Sequence, residues 1–284
     1  MWDKTAAERY EAWYATPRGA FALAREQRIV ADMISPWQRR NHSLLDIGCG
    51  AGHFLEMFHD GGLDVTGLDK NEAMLEKARE RLGGRATLRV GDATHLPFDD
   101  DEFDYVSIIT ALECMDNRKE VLAEAFRVAQ RGVVIAYLNS WSVYRQEHRL
   151  SRAWKRLVNV KESKGAMNVN GILPLETGGD TQRTHEFSWF NLFSIWRLVR
   201  EVSGKNPSSF RSTLFSPSFF WRGYKPFSLS WAHLFPFGAV SVVRVDLMPV
   251  APTATVIRTA KMARAKAAEA AAGAVSMDSS AKNM

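Results

Sequence analysis

Cysteine is scarce in this chain, and long apolar runs are missing. Cys49 and Cys114 are the two cysteines among 284 residues, so no disulfide framework is expected and a reducing cytoplasm is the default location. They form no C-x-x-C pair, so no zinc site is indicated and no metal is expected. No stretch of about 18 uncharged apolar residues occurs, so no transmembrane helix is predicted.

Basic charge exceeds acidic charge only slightly over most of the chain. The net charge is +5 at pH 7, a balance that can accompany nucleic-acid binding. Five bases and two acids lie after residue 250, so that stretch carries +3 and the preceding residues carry +2. A nucleic-acid partner is therefore not favoured. Residues 251–284 are predicted to form a flexible tail.

The order of apolar patterns indicates an α/β fold. Residues 1–40 are predicted to form a helical N-terminal cap, broken into two helices at Thr16-Pro17-Arg18-Gly19. Across residues 41–140, short apolar runs alternate with helical stretches, which implies a parallel sheet with helices on both faces. A helical, substrate-covering insert is expected at 141–205, with a helix from Phe187 to Val202. Further strands are expected within 206–250.

A glycine-rich turn follows the first predicted strand, in residues 44–52, Leu-Leu-Asp-Ile-Gly-Cys-Gly-Ala-Gly. Glycine permits positive φ and lets a ligand lie against the main chain. A dinucleotide fingerprint counted from Gly48 requires glycine at position 53, where the chain has His53. Asp46 would repel a pyrophosphate but suits the ammonium of an amino acid. The turn therefore favours a methionine-type moiety, and a purely structural turn is the alternative.

Acidic residues end the next two predicted strands. Asp69 lies about 20 residues beyond the turn, where an acid can accept hydrogen bonds from both ribose hydroxyls. The alternative for Asp69 is a helix N-cap. Asp92, in Gly91-Asp92-Ala93, is placed to accept the adenine amino group, and a turn aspartate is its alternative.

Five stretches in order resemble a class I S-adenosylmethionine (SAM)-dependent methyltransferase, close to the UbiE-like (type 11) small-molecule group. They are LLDIGCGAG, VTGLDKN, VGDATHLPF, EFDYVSIITALE and VVIAYLN. The resemblance implies a Rossmann-like sheet of seven strands, with the last strand, Val240 to Leu247, antiparallel. It also implies SAM as cofactor and in-line methyl transfer to a small-molecule acceptor.

The same resemblance implies a set of cofactor-binding residues. The set comprises Asp46, Gly48, Cys49 and Gly50 at the methionine part, Asp69 at the ribose, Lys70, Met74, Asp92 and Ala93 at the adenine, Thr110 and Leu112 under the sulfonium, and Tyr10 and Tyr14 of the cap. The alternative for the two tyrosines, which would touch SAM or the acceptor, is core packing.

A general base is needed only if the acceptor arrives protonated. Glu113 and Asn139 follow the fourth and fifth predicted strands, and His185 lies in the insert. These three are the catalytic candidates. Relatives often carry histidine after that glutamate, where this chain has Cys114, so an obvious base is missing. A SAM-binding regulatory protein without catalysis is therefore the alternative function.

Aromatic residues concentrate in 186–237, which holds fifteen of the 31 in the chain. Three interpretations stay open for this segment: core packing, an apolar or aromatic acceptor pocket, and a peripheral membrane contact. The basic, aromatic stretch 141–158 is interpreted as a solvated helix face, with an interfacial helix as its alternative. Nothing in the pattern indicates an oligomeric state.

Binding calorimetry separates the two cofactor classes. We expect the folded protein to release heat with SAM and none with NAD, because His53 occupies the position of the third dinucleotide glycine. Heat with NAD alone would contradict the interpretation of the turn.

Overall fold

The structure is a computed structural model that describes residues 4–142, 145–146, 188–213 and 236–249. His185, most of the expected insert, most of the aromatic-rich segment, nearly all of 141–158 and the tail lie outside the described residues. Within the described ranges, no helix is long and apolar enough to cross a membrane.

Helices and strands alternate along the described chain much as the apolar pattern predicts. The helices are α1 (Lys4–Tyr14), α2 (Pro17–Met33), α3 (His53–Asp60), α4 (Glu72–Leu82), α5 (Arg118–Val128) and α6 (Leu192–Ser203). The strands are β1 (Ser43–Ile47), β2 (Asp64–Asp69), β3 (Thr87–Val90), β4 (Phe103–Ile109), β5 (Ala129–Leu138), β6 (Ser209–Thr213) and β7 (Val240–Asp246). A short 3₁₀ turn, Leu112–Cys114, follows β4.

The strands form one seven-stranded sheet in the order β3-β2-β1-β4-β5-β7-β6. Strands β1 to β5 pair in parallel, whereas β7 is antiparallel to both β5 and β6. The predicted seven-stranded sheet with an antiparallel last strand is therefore confirmed. Because the five parallel strands point the same way, their carboxyl ends meet at one edge, where open α/β sheets bind ligands.

The break between α1 and α2 has a clear local cause. Thr16 caps α2, and its side chain accepts a hydrogen bond from the Gly19 N–H at 3.1 Å, while Pro17 occupies the first helical turn. A Cβ on Gly19 would lie 2.1 Å from the carbonyl oxygen of Trp13. Glycine at this position therefore lets the two helices approach closely.

Helix α2 runs from the carboxyl edge of the sheet towards the opposite edge. Its buried face packs against β5, β6 and β7, and consists of Gly19, Ala22, Glu26, Ile29, Val30 and Met33. At its far end, Arg244 Nη1 donates to the Met33 carbonyl at 2.6 Å. Arg244 lies near the end of β7 that pairs with the start of β5. Residues earlier in α2 consequently lie nearer the carboxyl edge.

The helix predicted from Phe187 to Val202 begins later than expected, at Leu192. The preceding residues instead extend the sheet edge, because Phe190 forms an isolated parallel bridge with Asn139 and its N–H donates to the Leu138 carbonyl at 3.0 Å. Pairing with the strand end outweighs helical propensity at this point, and Asn191 then caps α6.

Two asparagines at helix starts provide a matched stability test. Asn191 and Ser194 form a reciprocal capping box, with hydrogen bonds of 2.8 and 2.9 Å. The Asn117 side chain makes no capping hydrogen bond in α5. We expect Asn191→Ala to lower the free energy of unfolding by about 1 kcal/mol and Asn117→Ala by less than half as much. Urea denaturation measures both, and equal losses would contradict the capping assignment.

Candidate functional site

The glycine turn after β1 is closed on one side and open on the other. Gly48, Gly50 and Gly52 all have positive φ, between 53° and 81°. A Cβ on Gly48 would lie 2.6 Å from Ala111 Cβ, whereas a Cβ on Gly50 would meet nothing within 4 Å. The turn is therefore packed against the end of β4 at Gly48 and exposes bare backbone at Gly50, as a ligand cradle requires. Because Gly52 has the left-handed backbone conformation, α3 begins only at His53.

Asp69 at the end of β2 holds the turn in place. One carboxylate oxygen accepts a hydrogen bond from the Gly50 N–H at 2.8 Å, and the other accepts one from the Asn71 N–H at 2.8 Å. Burial raises the pKa of Asp69, and these backbone hydrogen bonds oppose the rise. Each oxygen retains acceptor capacity, so the carboxylate can support the turn and still receive a ligand hydroxyl.

Asp46, within β1, is a buried carboxyl beneath the turn. It is 2% exposed and accepts a hydrogen bond from Ser107 Oγ at 2.7 Å. Burial raises the pKa of Asp46 to about 7, and the charge of Asp69 adds to this effect. A cation placed beside Asp46 would offset the cost of its burial. Cys49, between the two glycines, is also buried, and burial raises the pKa of its thiol.

Of the residues predicted at the adenine, Lys70, Asp92 and Ala93 follow the ends of β2 and β3, and Met74 lies on α4. Lys70 Nζ and Asp92 form an exposed ion pair at 3.2 Å. The other Asp92 oxygen accepts hydrogen bonds from the Thr94 N–H and Oγ, at 2.9 and 2.8 Å. These bonds, with the contribution of Lys70, lower the pKa of Asp92 to about 2. These hydrogen bonds are those of a turn aspartate, the alternative interpretation of Asp92, and Ala93 and Met74 are both buried.

The residues predicted under the sulfonium lie where β4 ends. Thr110 has φ of 47°, an uncommon value for a residue with a side chain, and its N–H donates to the Ala136 carbonyl at 2.9 Å. This geometry turns the chain into the 3₁₀ turn. Leu112 has no exposed surface and packs into the core, so its side chain is part of the support beneath the edge.

Helix α1 is fastened over the glycine turn by charge. Glu11 accepts a hydrogen bond from Arg81 Nη2 at 2.7 Å and lies 2.9 Å from His53 Nε2. Burial alone would raise the pKa of Glu11, but His53 and Arg81 hold it below its ordinary value. We call Glu11, His53 and Arg81 the cap latch. Sequence reasoning missed it, because its three members come from three separate helices.

The two cap tyrosines lie beside the latch. The Tyr10 and Tyr14 hydroxyls are 3.3 Å apart, and the Tyr14 ring lies 4.7 Å from the His53 ring. Burial raises the pKa of both phenols, so both stay neutral near pH 7. The structure therefore brings the predicted tyrosines and the start of α3 together.

Of the three catalytic candidates, the structure describes two. Glu113 is 2% exposed; its Oε1 accepts a hydrogen bond from the Leu138 N–H, and its Oε2 has no partner among the described residues. Burial raises the pKa of Glu113 to about 7. The amide nitrogen of Asn139 donates hydrogen bonds to the carbonyls of Pro236 and Gly238, and its amide oxygen accepts one from the Trp141 N–H. Asn139 therefore joins backbone segments, whereas Glu113 keeps a free acceptor.

Glu26 is a further acidic residue of the site that sequence reasoning missed. It is 1% exposed, and neither carboxyl oxygen has a partner in the described part of the chain. Burial, followed by the charge of Glu113, raises the pKa of Glu26 to about 8. The sequence feature that could have identified Glu26 is its position on the buried face of α2, in helical register with Ala22, Ile29 and Met33.

Comparison with known proteins finds sequence similarity in part of the chain. Residues 45–137 match a family model described as a methyltransferase domain. A malonyl-(acyl-carrier protein) O-methyltransferase of Pectobacterium atrosepticum is 34% identical over 131 residues, 46% of this chain and 48% of that protein. A demethylmenaquinone methyltransferase of Renibacterium salmoninarum is 38% identical over 110 residues, 38% and 44% of the two chains. The chain spans about half the length of the curated relatives it matches.

Solved structures share the fold at low sequence identity. A SAM-dependent methyltransferase of Thermotoga maritima, described as a possible histamine N-methyltransferase, matches with TM-score 0.59 and 18% identity over 87% of this chain and 100% of that one. A magnesium protoporphyrin IX methyltransferase of Synechocystis with bound SAH matches with TM-score 0.57 and 12% identity over 85% and 94%. The predicted fold and the resemblance in sequence are confirmed.

The raised pKa of Glu26 gives a pH-dependent stability. Between pH 4.5 and about pH 8 the folded protein holds a proton on Glu26 that the unfolded chain has released, so stability falls as pH rises through this window. We expect the wild type to lose about 5 kcal/mol of unfolding free energy across it through this group, and Glu26→Gln to remove that loss. Urea denaturation at several pH values measures the slope.

The control is Glu76→Gln, which changes an exposed glutamate on α4 and keeps the wild-type slope. Parallel curves for the wild type and Glu26→Gln would show that Glu26 ionises normally in the fold.

Proposed function

We propose, from the match of residues 45–137 to a family model described as a methyltransferase domain, that this chain is a SAM-dependent methyltransferase acting on a small molecule. The observation that carries the proposal is the open backbone at Gly50, held by Asp69 and flanked by the buried carboxyl of Asp46. A bare backbone surface between two carboxyls suits a ligand that carries both an ammonium and hydroxyls.

The described residues fit the parts of SAM one by one. Asp46 faces the ammonium, because a cation there offsets its buried charge. The backbone of the glycine turn lies along the methionine part, and Asp69 accepts hydrogen bonds from the ribose hydroxyls. The residues assigned to the adenine are Lys70, Met74, Asp92 and Ala93. When bound, SAM supplies a methyl group activated by the positive sulfonium.

The chain contributes to the reaction by positioning the acceptor and by excluding water from the site. Holding the acceptor atom in line with the methyl carbon is worth about 7–11 kcal/mol of the barrier in well-oriented reactions. Helix α1, fixed by the cap latch, holds Tyr10 and Tyr14 beside the start of α3, next to the glycine turn, where they would exclude water from a bound cofactor. Thr110 and Leu112 shape the floor under the reacting group, and Glu113 lies next to it with one free oxygen.

The acceptor is proposed as a small molecule because the relatives are named for such acceptors, a malonyl group on a carrier protein and demethylmenaquinone. A regulatory protein that binds SAM without catalysis is the alternative from the sequence. Formation of S-adenosylhomocysteine (SAH) from SAM, measured across a library of small molecules, separates the two. Binding of SAM with no SAH formed from any acceptor favours the regulator.

Substitution of Asp69 tests the cradle itself. We expect Asp69→Ala to weaken SAM binding by about 1–3 kcal/mol, because it strands two ribose hydroxyls and releases the Gly50 N–H. The matched control is Asp64→Ala, an exposed aspartate at the other end of β2, which leaves the affinity unchanged. Calorimetry with SAM measures both variants. Equal affinity in the wild type and Asp69→Ala would place the ribose elsewhere.

A further inference from the structure

Exposed aromatic side chains are concentrated at one end of the sheet. Within the described ranges, six large apolar side chains are more than one third exposed, namely Val90, Trp141, Phe193, Trp196, Phe237 and Met248. Four of these six are aromatic, and all four lie near the carboxyl end of β5 or on the first half of α6. Single exposed apolar residues are common on proteins, but a group of aromatic rings at one place marks an interaction surface.

Contacts between neighbouring residues join these four rings. The rings of Trp141 and Phe193 meet edge to face, with their centroids 5.6 Å apart. Phe193 and Trp196 are three residues apart on α6, so they lie on the same side of the helix. Asn139 accepts a hydrogen bond from the Trp141 N–H and donates to the carbonyls of the residues before and after Phe237. We call Trp141, Phe193, Trp196 and Phe237 the aromatic face.

The outward rings of α6 are not needed to hold this helix on the sheet. Ile195 and Val199, on its inner side, have no exposed surface and belong to the main core. Phe193, in contrast, is 69% exposed. The indole N–H of Trp196 already donates to Asn206 Oδ1 at 3.0 Å, so its ring can enter an apolar phase without stranding a donor. A helix that covers a sheet requires one apolar side, and α6 has a second one.

Two arginines stand on the same side of α6 as these rings. Arg197 and Arg200 follow Phe193 by four and seven residues, the spacing of one helix side, and both are exposed. Neither guanidinium forms an ion pair with another residue that the structure describes. Glu201, the single acid of α6, is bonded to Lys119 at 2.5 Å. The outer side of α6 therefore combines aromatic rings with positive charge.

We propose that the aromatic face, together with Arg197 and Arg200, docks on an anionic lipid bilayer. The rings enter the interfacial layer of the bilayer, where aromatic side chains are favoured, and the guanidinium groups bind lipid phosphates. The aromatic face borders the carboxyl end of β5, where Asn139 pairs with Phe190. Docking therefore brings the sheet edge that carries the proposed SAM site close to the lipid.

The same observations favour lipid over a second copy of this chain. A two-fold interface through the outer side of α6 would bring the same arginines of both copies together, and like charges oppose this. Phe193 stands on the outer surface of a helix, and a fluid lipid layer accepts such a ring without a complementary pocket. Arginine also matches the geometry of phosphate, which an anionic bilayer presents in quantity.

Co-sedimentation of the full chain with lipid vesicles tests the docking. The vesicles consist of phosphatidylcholine alone or of phosphatidylcholine mixed with phosphatidylglycerol. We expect binding to the mixed vesicles to be about 10-fold or more tighter, and to weaken as salt is added, because the arginines are attracted to the anionic surface. Equal binding to both kinds of vesicle, or no binding to the mixed ones, overturns the proposal.

A double variant assigns the electrostatic part to α6. We expect Arg197→Gln with Arg200→Gln to weaken binding to the mixed vesicles about 10-fold or more, since each arginine near such a surface contributes about 5-fold. The matched control is Arg28→Gln with Arg40→Gln, which removes two exposed charges on α2 and just before β1. Equal losses in the two double variants would show that overall charge governs binding, and would overturn the assignment to α6.

A single variant tests the apolar part. We expect Phe193→Ser to weaken vesicle binding about 10-fold, because the ring no longer leaves water when the face docks. Val90→Ser, at an exposed position on β3, is the control and keeps the wild-type affinity. Unchanged binding in Phe193→Ser overturns the proposal.

Two further measurements separate this proposal from its neighbours. Sedimentation equilibrium without lipid reports self-association, and a dimer that Phe193→Ser dissociates, with no binding to vesicles, would assign the face to a second copy and overturn the proposal. Calorimetry with SAH tests the proposed function separately, because vesicle binding is measured without cofactor. Failure to bind SAH therefore contradicts the proposed function alone, whereas failure to bind anionic vesicles contradicts this proposal alone.

Discussion

The hydrogen bond from the Gly50 N–H to Asp69 is the interaction on which the arrangement of the site depends. It joins the turn after β1 to the end of β2, two strands that the parallel register already places side by side. Because the turn is fixed at this point, its glycines keep their positive φ, the start of α3 is set, and His53 reaches the cap latch. Loss of this one bond would loosen the cradle and the cap above it together.

The cap adds a second constraint of the same electrostatic kind. Glu11 brings a carboxylate from α1 to two bases of the core, His53 and Arg81, so the helix is held by charge rather than by apolar burial alone. A partly buried pair of this type is screened less by salt than a surface pair. The cover over the glycine turn is accordingly fixed in position yet depends on the ionisation of one glutamate.

The sequence pattern was sufficient for the sheet, for the break at Pro17 and for the acids at strand ends, because each is set by local periodicity or by a glycine. It did not predict the contacts of Asn139, whose amide nitrogen donates to the backbone carbonyls of Pro236 and Gly238, about 100 residues away. The late start of α6 has the same origin, since Phe190 pairs with a strand end. The sequence did not reveal Glu26 as a site residue, because an acidic residue among apolar ones on a helix is unusual only when that face of the helix is known to be buried.

The buried carboxyls of the site destabilise the empty fold when they ionise, but they favour the binding of a cation. The pKa of Asp46, Asp69, Glu26 and Glu113 is raised in each case first by burial, so the unliganded fold loses stability as these groups ionise at higher pH. The same ionisation strengthens the attraction for a bound cation, and binding to the folded state alone returns stability to it. The pH range in which the empty site costs the fold most is therefore the range in which a cationic ligand contributes most to it.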